Sequence, residues 1–173
     1  MLAVAKNYEQ ELTKMIRNTW YDLNYQYFWS GACCDLDFPS EDYYKRSFAY
    51  IEDDEIKGYF AYSMDRSSKS IHHFGLMSFG GHSIKFMNEV IAHIEWLLSE
   101  KIVDRVEFFA YEDNPAMRSY KRMVKRFGGK QVGKLTNVSR LYDGKLHSSI
   151  IFEILREDYE KTDRYLKKNG GKA

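Results

Sequence analysis

The chain has 173 residues, with 26 Lys and Arg against 25 Asp and Glu, 44% apolar content and 16% aromatic content. That length suits one well-buried core and is short for two, so the expectation is a single domain over residues 1–166 followed by a flexible basic tail, 167–173. The cancelling charge leaves no global field to steer the chain toward nucleic acid or an anionic membrane, and no apolar run approaches the roughly 20 residues that span a bilayer.

In chain order, Met1 to Ala5 lacks the basic start and long apolar stretch of a secretory signal, which points to the cytoplasm. Asn7 and Gln10 form a capping-box pattern, and Tyr8, Leu12, Met15 and Ile16 recur at helical spacing, predicting a helix from Tyr8 to about Asp22. The next segment, TWYDLNYQYFWSGACC, is aromatic without a clean period and reads as irregular. Its adjacent Cys33 and Cys34 suit a reducing compartment, since sequence neighbours rarely reach disulfide geometry, and no metal-ligand spacing surrounds them. Pro39 and Ser40 open a short second helix.

From Ser47 the texture is β: SFAYI, an acidic turn at Asp53-Asp54, IKGYFAYSM, a polar turn from Arg66 to Lys69, then SIHHFGLMS, giving three antiparallel strands. After Gly80-Gly81, the residues Ile84, Met87, Val90, Ile91, Ile94, Leu97 and Leu98 mark one apolar helix face. RVEFFAY is a buried strand, and the intervening helix makes it parallel to the strand before the glycines, as a right-handed crossover. Asn114-Pro115 supplies an N-cap and a first-turn proline for a further helix, which Gly128-Gly129 ends. KLTNVSRLY and KLHSSIIFEIL flank Asp143-Gly144, which favours a type I′ hairpin.

With a short strand at Leu2 to Ala5, this order resembles the GNAT superfamily of acyl-CoA-dependent N-acyltransferases; the specific part of the likeness lies in SFGGHS and EDNPAMRSY. The resemblance implies an α/β fold: antiparallel N-terminal strands, a central parallel pair splayed around an acyl-CoA cleft, and a C-terminal hairpin. Unpaired N–H groups at a helix start, with glycine allowing close backbone approach, favour a pyrophosphate. Gly80, Gly81, His82 and Ser83 are the cradle on this reading; the alternative is that the glycines only allow a tight reversal. In the usual pattern of the superfamily a basic residue precedes the glycines; Ser78 occupies that slot here, leaving His82 and Lys85 as substitutes. The resemblance also implies that the strand end, Met77 to Phe79, hydrogen bonds the pantetheine arm, and that the helix after Asn114 brings Tyr120 to the sulfur as proton donor, with Tyr111 in reserve. Tyr120 equally fits the apolar stripe with Met117 and Val124. Arg118, Lys121, Arg122, Lys125 and Arg126 form a basic face, from which one or two residues can meet the adenosine 3′-phosphate.

An amine acceptor must lose a proton, so a base should face the cleft. His73 (or its neighbour His72), Glu107, Glu112 and Asp113 are the candidates, and alternation along a strand lets only one of the two histidines look inward. Trp20, Tyr21, Tyr25, Tyr27, Phe28 and Trp29 can build an aromatic acceptor wall. The expected activity is transfer of an acetyl group from acetyl-CoA to a primary amine, on a small molecule or a protein, and a homodimer is compatible with it. A silent acyl-CoA-binding module of the same fold is the rival; nucleic-acid binding through the basic helix and a Cys-His hydrolase rank below it.

Overall fold

A computed structural model describes residues 1–29, 38 and 44–170, with Trp29 described in its backbone alone. Cys33, Cys34 and the helix expected at Pro39-Ser40 lie outside the described residues, as do residues 171–173 of the tail. The N-terminal strand is present: β1 (Leu2–Val4) pairs antiparallel with β2 (Lys45–Glu52), extended by the N-terminal ammonium donating to Ile51 O at 2.7 Å. The first helix is shorter than its periodicity suggested. A 3-10 turn occupies Ala5–Tyr8, and α1 runs Glu9–Arg17 from a Tyr8 cap with no side-chain bond, so the Asn7/Gln10 capping box does not form. Thr19 Oγ1 turns back to Ile16 O at 2.7 Å, and Tyr21 takes φ 65, which stops the helix before Asp22. Asp22 caps a 3-10 turn at Leu23–Tyr25 that leads into α2 (Gln26–Trp29), giving order to the described part of the segment read as irregular.

The next strands are β3 (Glu55–Asp65) and β4 (Ser70–Ser78), joined to β2 as an antiparallel meander. Asp53 and Asp54 both lie at positive φ, 52 and 58, which makes their two-residue loop the type I′ turn. α3 (Ile84–Ser99) follows, burying Phe86, Val90, Ile91, Ile94, Leu97 and Leu98; Ile84, at the predicted start of that face, is 70% exposed beside the glycine turn. β5 (Arg105–Tyr111) returns parallel to β4.

α4 (Met117–Arg126) begins two residues later than Asn114-Pro115 suggested. Asn114 still organises the entry: its Oδ1 accepts from Ala116 N at 2.8 Å and its carbonyl from Met117 N at 2.9 Å, closing a tight turn ahead of the helix. Gly128, at φ 70, ends α4, and an added Cβ there would meet Asp158 O at 2.8 Å. The closing hairpin is β6 (Lys130–Arg140) and β7 (Leu146–Leu155). In its turn only Gly144 has positive φ, and Gly144 N donates to Leu141 O, so Asp143-Gly144 closes a longer loop rather than the expected type I′ turn. β6 slips register twice against β7, between Gln131 and Gly133 and between Leu135 and Ser139.

Two short helices unforeseen in the sequence, α5 (Arg156–Tyr159) and α6 (Asp163–Lys168), close the chain and take Lys167 and Lys168 out of the expected tail. They are anchored on buried Glu95 of α3, which accepts from Tyr159 Oη at 3.1 Å and ion-pairs with Arg164. The sheet order is β1-β2-β3-β4-β5-β7-β6. One core, built on α3 and α4, contains Phe60, Phe108, Phe127 and Phe152; the other joins α1 to β2 and β3 through Leu12, Ile16, Ile56 and Tyr59. The strands supply apolar residues to both because alternate side chains leave a sheet on opposite faces.

Candidate active site

β4 and β5 share only two register pairs, Ser70↔Arg105 and Ile71↔Val106, and then part. The gap is the mouth of a cleft of about 1080 Å³, walled by the ends of both strands, the glycine turn, α4 and the α2 segment. A parallel pair normally continues its ladder; here the β5-facing edge of β4 past Ile71 has no strand partner among the described residues. β4 is also bulged: Ala61 faces Gly75 while Ser63 faces His72, so Tyr62 opposes two residues and His73 sits at φ 50. That bulge breaks the strict alternation expected of the two histidines. His73 is exposed and lines the cleft, His72 does not, and their rings stand 6.0 Å apart.

At the start of α3, Gly80 and Gly81 take φ 82 and 109, and a Cβ on either would meet no atom within 4 Å. Glycine is needed here for the backbone path, and the space above it is open. Ser83 plugs one amide of the helix start, its Oγ accepting from Phe86 N at 3.1 Å. The amides of Gly81 through Lys85 have no hydrogen-bond partner among the described residues. Gly80 N donates to Tyr25 Oη at 3.4 Å, and Ser78 Oγ donates to Gly81 O. Met77, Ser78, His82, Ser83 and Asn114 line the cleft with the glycines; Phe79 instead packs into the α1-side core. Lys85 is taken by an ion pair with Glu52, which leaves it out of the cradle. Arg118 and Arg122 line the same cleft from α4, and neither makes an ion pair among the described residues.

Tyr120 reaches the cleft from α4 while packing against the α3–α4 core, its ring edge-on to Phe108 at 5.8 Å. The sequence left core packing and site lining as alternatives, and the residue does both. Burial pushes its phenol up to about 12. Tyr111, buried at the end of β5, lines the cleft as well. The carboxylates proposed as bases are engaged elsewhere. Glu107 is not on the cleft wall: it lies just past the last β4 pair, Ile71↔Val106, and it ion-pairs with Arg105 on its own strand. Glu112 pairs with Lys134 at 2.6 Å, and Asp113 meets His147 at 2.7 Å. Asp22 lines the cleft with its Oδ1 committed to Asn24 N and Nδ2.

Of the expected aromatic wall, Tyr25, Tyr27 and Phe28 are present, with Phe28 lying over Gly75 of β4 so closely that a Cβ there would touch its ring at 3.4 Å. Tyr21 is 83% exposed and lies against Tyr142 outside the cleft. Sequence reasoning missed His147, which draws Asp113 and Asp143 together beside Tyr27; the available signal was the i,i+4 spacing of Asp143 and His147 across the closing turn.

No protein-family model and no curated protein sequence matches the chain. Solved structures do. A spermidine N-acetyltransferase from Vibrio cholerae, in complex with CoA and spermine, aligns with a TM-score of 0.70 over 92% of this chain and 96% of that one, at 15% identity. The ribosomal α-N-protein acetyltransferase RimL, in complex with coenzyme A, gives 0.66 over 89% and 92%, at 13% identity. The microcin self-immunity acetyltransferase MccE, in complex with acetyl-CoA and AMP, gives 0.66 over 89% and 91%, at 14% identity. At such identities the likeness is one of fold: the chain has the GNAT fold, a mixed sheet with a splayed parallel pair. No helix among the described residues is long and apolar enough to cross a membrane.

Proposed function

We propose that the protein is a cytoplasmic N-acetyltransferase that passes an acetyl group from acetyl-CoA to a primary amine by direct attack in a ternary complex. The observation carrying this reading is the run of amides at Gly81 to Lys85, without a partner among the described residues, set at the mouth of a parted parallel pair. A diphosphate there meets N–H donors and the positive end of a 16-residue helix together. The amides of a pantetheine arm pair with the unpartnered edge of β4. Where Ser78 stands in the usual basic slot, Arg118 and Arg122 bring positive charge from the opposite wall.

In the reaction the amine nitrogen attacks the thioester carbonyl, the C–N bond forms, the C–S bond breaks, coenzyme A leaves as the thiolate, and the second proton shed by the nitrogen passes through solvent to that thiolate, giving free coenzyme A. A lysine-like amine, with a pKa of about 10.4, arrives protonated and must first be neutralised. His73, the exposed imidazole on the cleft wall, is assigned that proton, directly or through water. Tyr120, held near 12, keeps its proton. A thiol titrates at about 8.5, so full proton transfer from such a phenol is uphill, and Tyr120 acts by donating a hydrogen bond to the departing sulfur.

Ser78 in place of a basic residue also favours a second reading, a binding module without turnover. Thermal unfolding with acetyl-CoA separates these cases: ligand at a hundredfold its dissociation constant adds about 2.7 kcal/mol. No shift at millimolar acetyl-CoA rejects both readings, and a shift without product on a broad panel of primary amines rejects the enzyme alone.

A further inference from the structure

His147 takes no part in the chemistry above, yet it sits at the crossing of three segments. It is 6% exposed on β7, with Nδ1 at 2.7 Å from Asp113 Oδ2 and Nε2 at 3.0 and 3.1 Å from the two carboxylate oxygens of Asp143. A neutral imidazole has one N–H and presents a lone pair to its second partner; only the imidazolium donates to both carboxylates. Asp143 foremost, then Asp113, hold the ring's titration above the usual histidine value against the opposing effect of burial.

Each of these two residues is in turn tied to α2, Asp113 through its carboxylate and Asp143 through its backbone amide. The Tyr27 hydroxyl hydrogen bonds to Asp113, and Asp143 N donates to Gln26 Oε1 at 3.2 Å. Tyr27 and Tyr111, both on the cleft wall, stand edge-on to the imidazole at 6.0 and 6.2 Å. Thus the titratable groups facing His147 are Asp113 from the β5–α4 turn, Asp143 from the β6–β7 turn, Tyr27 from α2 and Tyr111 from β5.

We propose that His147, as a doubly hydrogen-bonded imidazolium, is a positioning residue that holds α2 against the cleft, so that this wall is ordered while His147 is charged and loosens when it loses its proton. The inference rests on the proposed function only in calling the Tyr27–Phe28 side the acceptor wall. The sign follows from linkage: a group whose folded-state pKa is raised contributes fully below its unfolded value of about 6.5, and the contribution is lost as pH rises through the folded value.

The test is amide hydrogen exchange on the full chain from about pH 5.5 to about pH 9, corrected for base catalysis, with His147's own titration followed by its ring resonances. Protection at residues 26–29 should fall on the order of tenfold as the ring deprotonates, while the amides of α3 hold. His147→Gln, which cannot donate to both carboxylates from opposite sides of a ring, should exchange fast at residues 26–29 across the whole range with no inflection. Protection that ignores the ring's titration overturns the proposal, and so does a His147→Gln variant as protected there as the wild type. If His147→Gln loosens α3 as well, the wild-type titration alone decides, with an inflection upholding the proposal and its absence overturning it. No acceptor is needed for this measurement. Failure here leaves acetyl transfer standing, and lack of turnover leaves this result standing.

Discussion

At the end of the cleft proposed for the coenzyme the groups on offer are backbone amides, Gly81 to Lys85, and two arginines of α4; at the end proposed for the acceptor they are the rings of Tyr25, Tyr27, Phe28 and Tyr111 with the imidazole of His73. The first end needs only a helix start, two residues at positive φ and a strand that parts from its neighbour. The second depends on side chains from α2, the β4 bulge and the β6–β7 turn meeting in space, several of them through His147. An end made of backbone recognises what a whole class of ligands shares, and an end made of assembled side chains decides between individual ligands.

Substitutions at each end sharpen or break this division. The largest effect is expected from Gly81→Val: a branched side chain at φ 109 is strained and fills the open space above the amides. Acetyl-CoA affinity should fall about a hundredfold or more, roughly 2.7 kcal/mol, read as loss of the ligand-induced melting shift. An unimpaired shift would mean that the diphosphate lies elsewhere. Tyr120→Phe should lower kcat by about ten- to a hundredfold with acetyl-CoA affinity unchanged, since it removes one hydrogen bond that forms in the transition state. Full kcat in steady-state assays would leave Tyr120 as packing only.

The double variant Arg118→Ala/Arg122→Ala should weaken coenzyme A by about tenfold with the fold intact, because both side chains are exposed and their loss removes charge-assisted contacts. Calorimetry with coenzyme A and dephospho-coenzyme A then locates the contact: equal loss for both points to the diphosphate, and loss confined to coenzyme A points to the 3′-phosphate. Smallest of all, Lys85→Ala should change affinity less than about twofold, since this exposed ammonium is spent on Glu52. A loss as large as that of the arginine pair would show that Lys85 leaves Glu52 to meet the ligand.

The same division explains what could be read from the residues in advance. The crossover from β4 through α3 to β5, and the glycine turn at its start, follow from periodicity and local conformational rules, so the backbone of this end of the cleft was legible. Asn114-Pro115 marked the α4 entry but not its first residue, because Asn114 closes a turn before the helix proper. The type I′ turn fell at Asp53-Asp54 rather than at Asp143-Gly144, where the loop between β6 and β7 is longer than two residues. Nothing local announced the His73 bulge, since it reflects unequal residue counts on β3 and β4. α5 and α6 went unread, apart from Lys167 and Lys168 in the expected tail, because their anchor, Glu95, lies far off in sequence. Glu107 was chosen for its strand, but depth along the strand, set by where β4 and β5 part, decides which of its residues see the cleft.

The two slips of register along β6 bear on how the protein behaves when concentrated. β6 is an outermost strand of 11 residues carrying Val132, Leu135 and Val138 half in solvent, and an unbroken strand of that kind is a template on which further chains accrete into fibrils. Each slip turns the hydrogen-bonding edge out of line, so no long straight stretch is left for a second molecule to zip onto, while the charged side chains Lys130, Lys134 and Arg140, the first two paired with Glu153 and Glu112, keep it polar. The opposite rim, β1, is guarded more simply, being only three residues long.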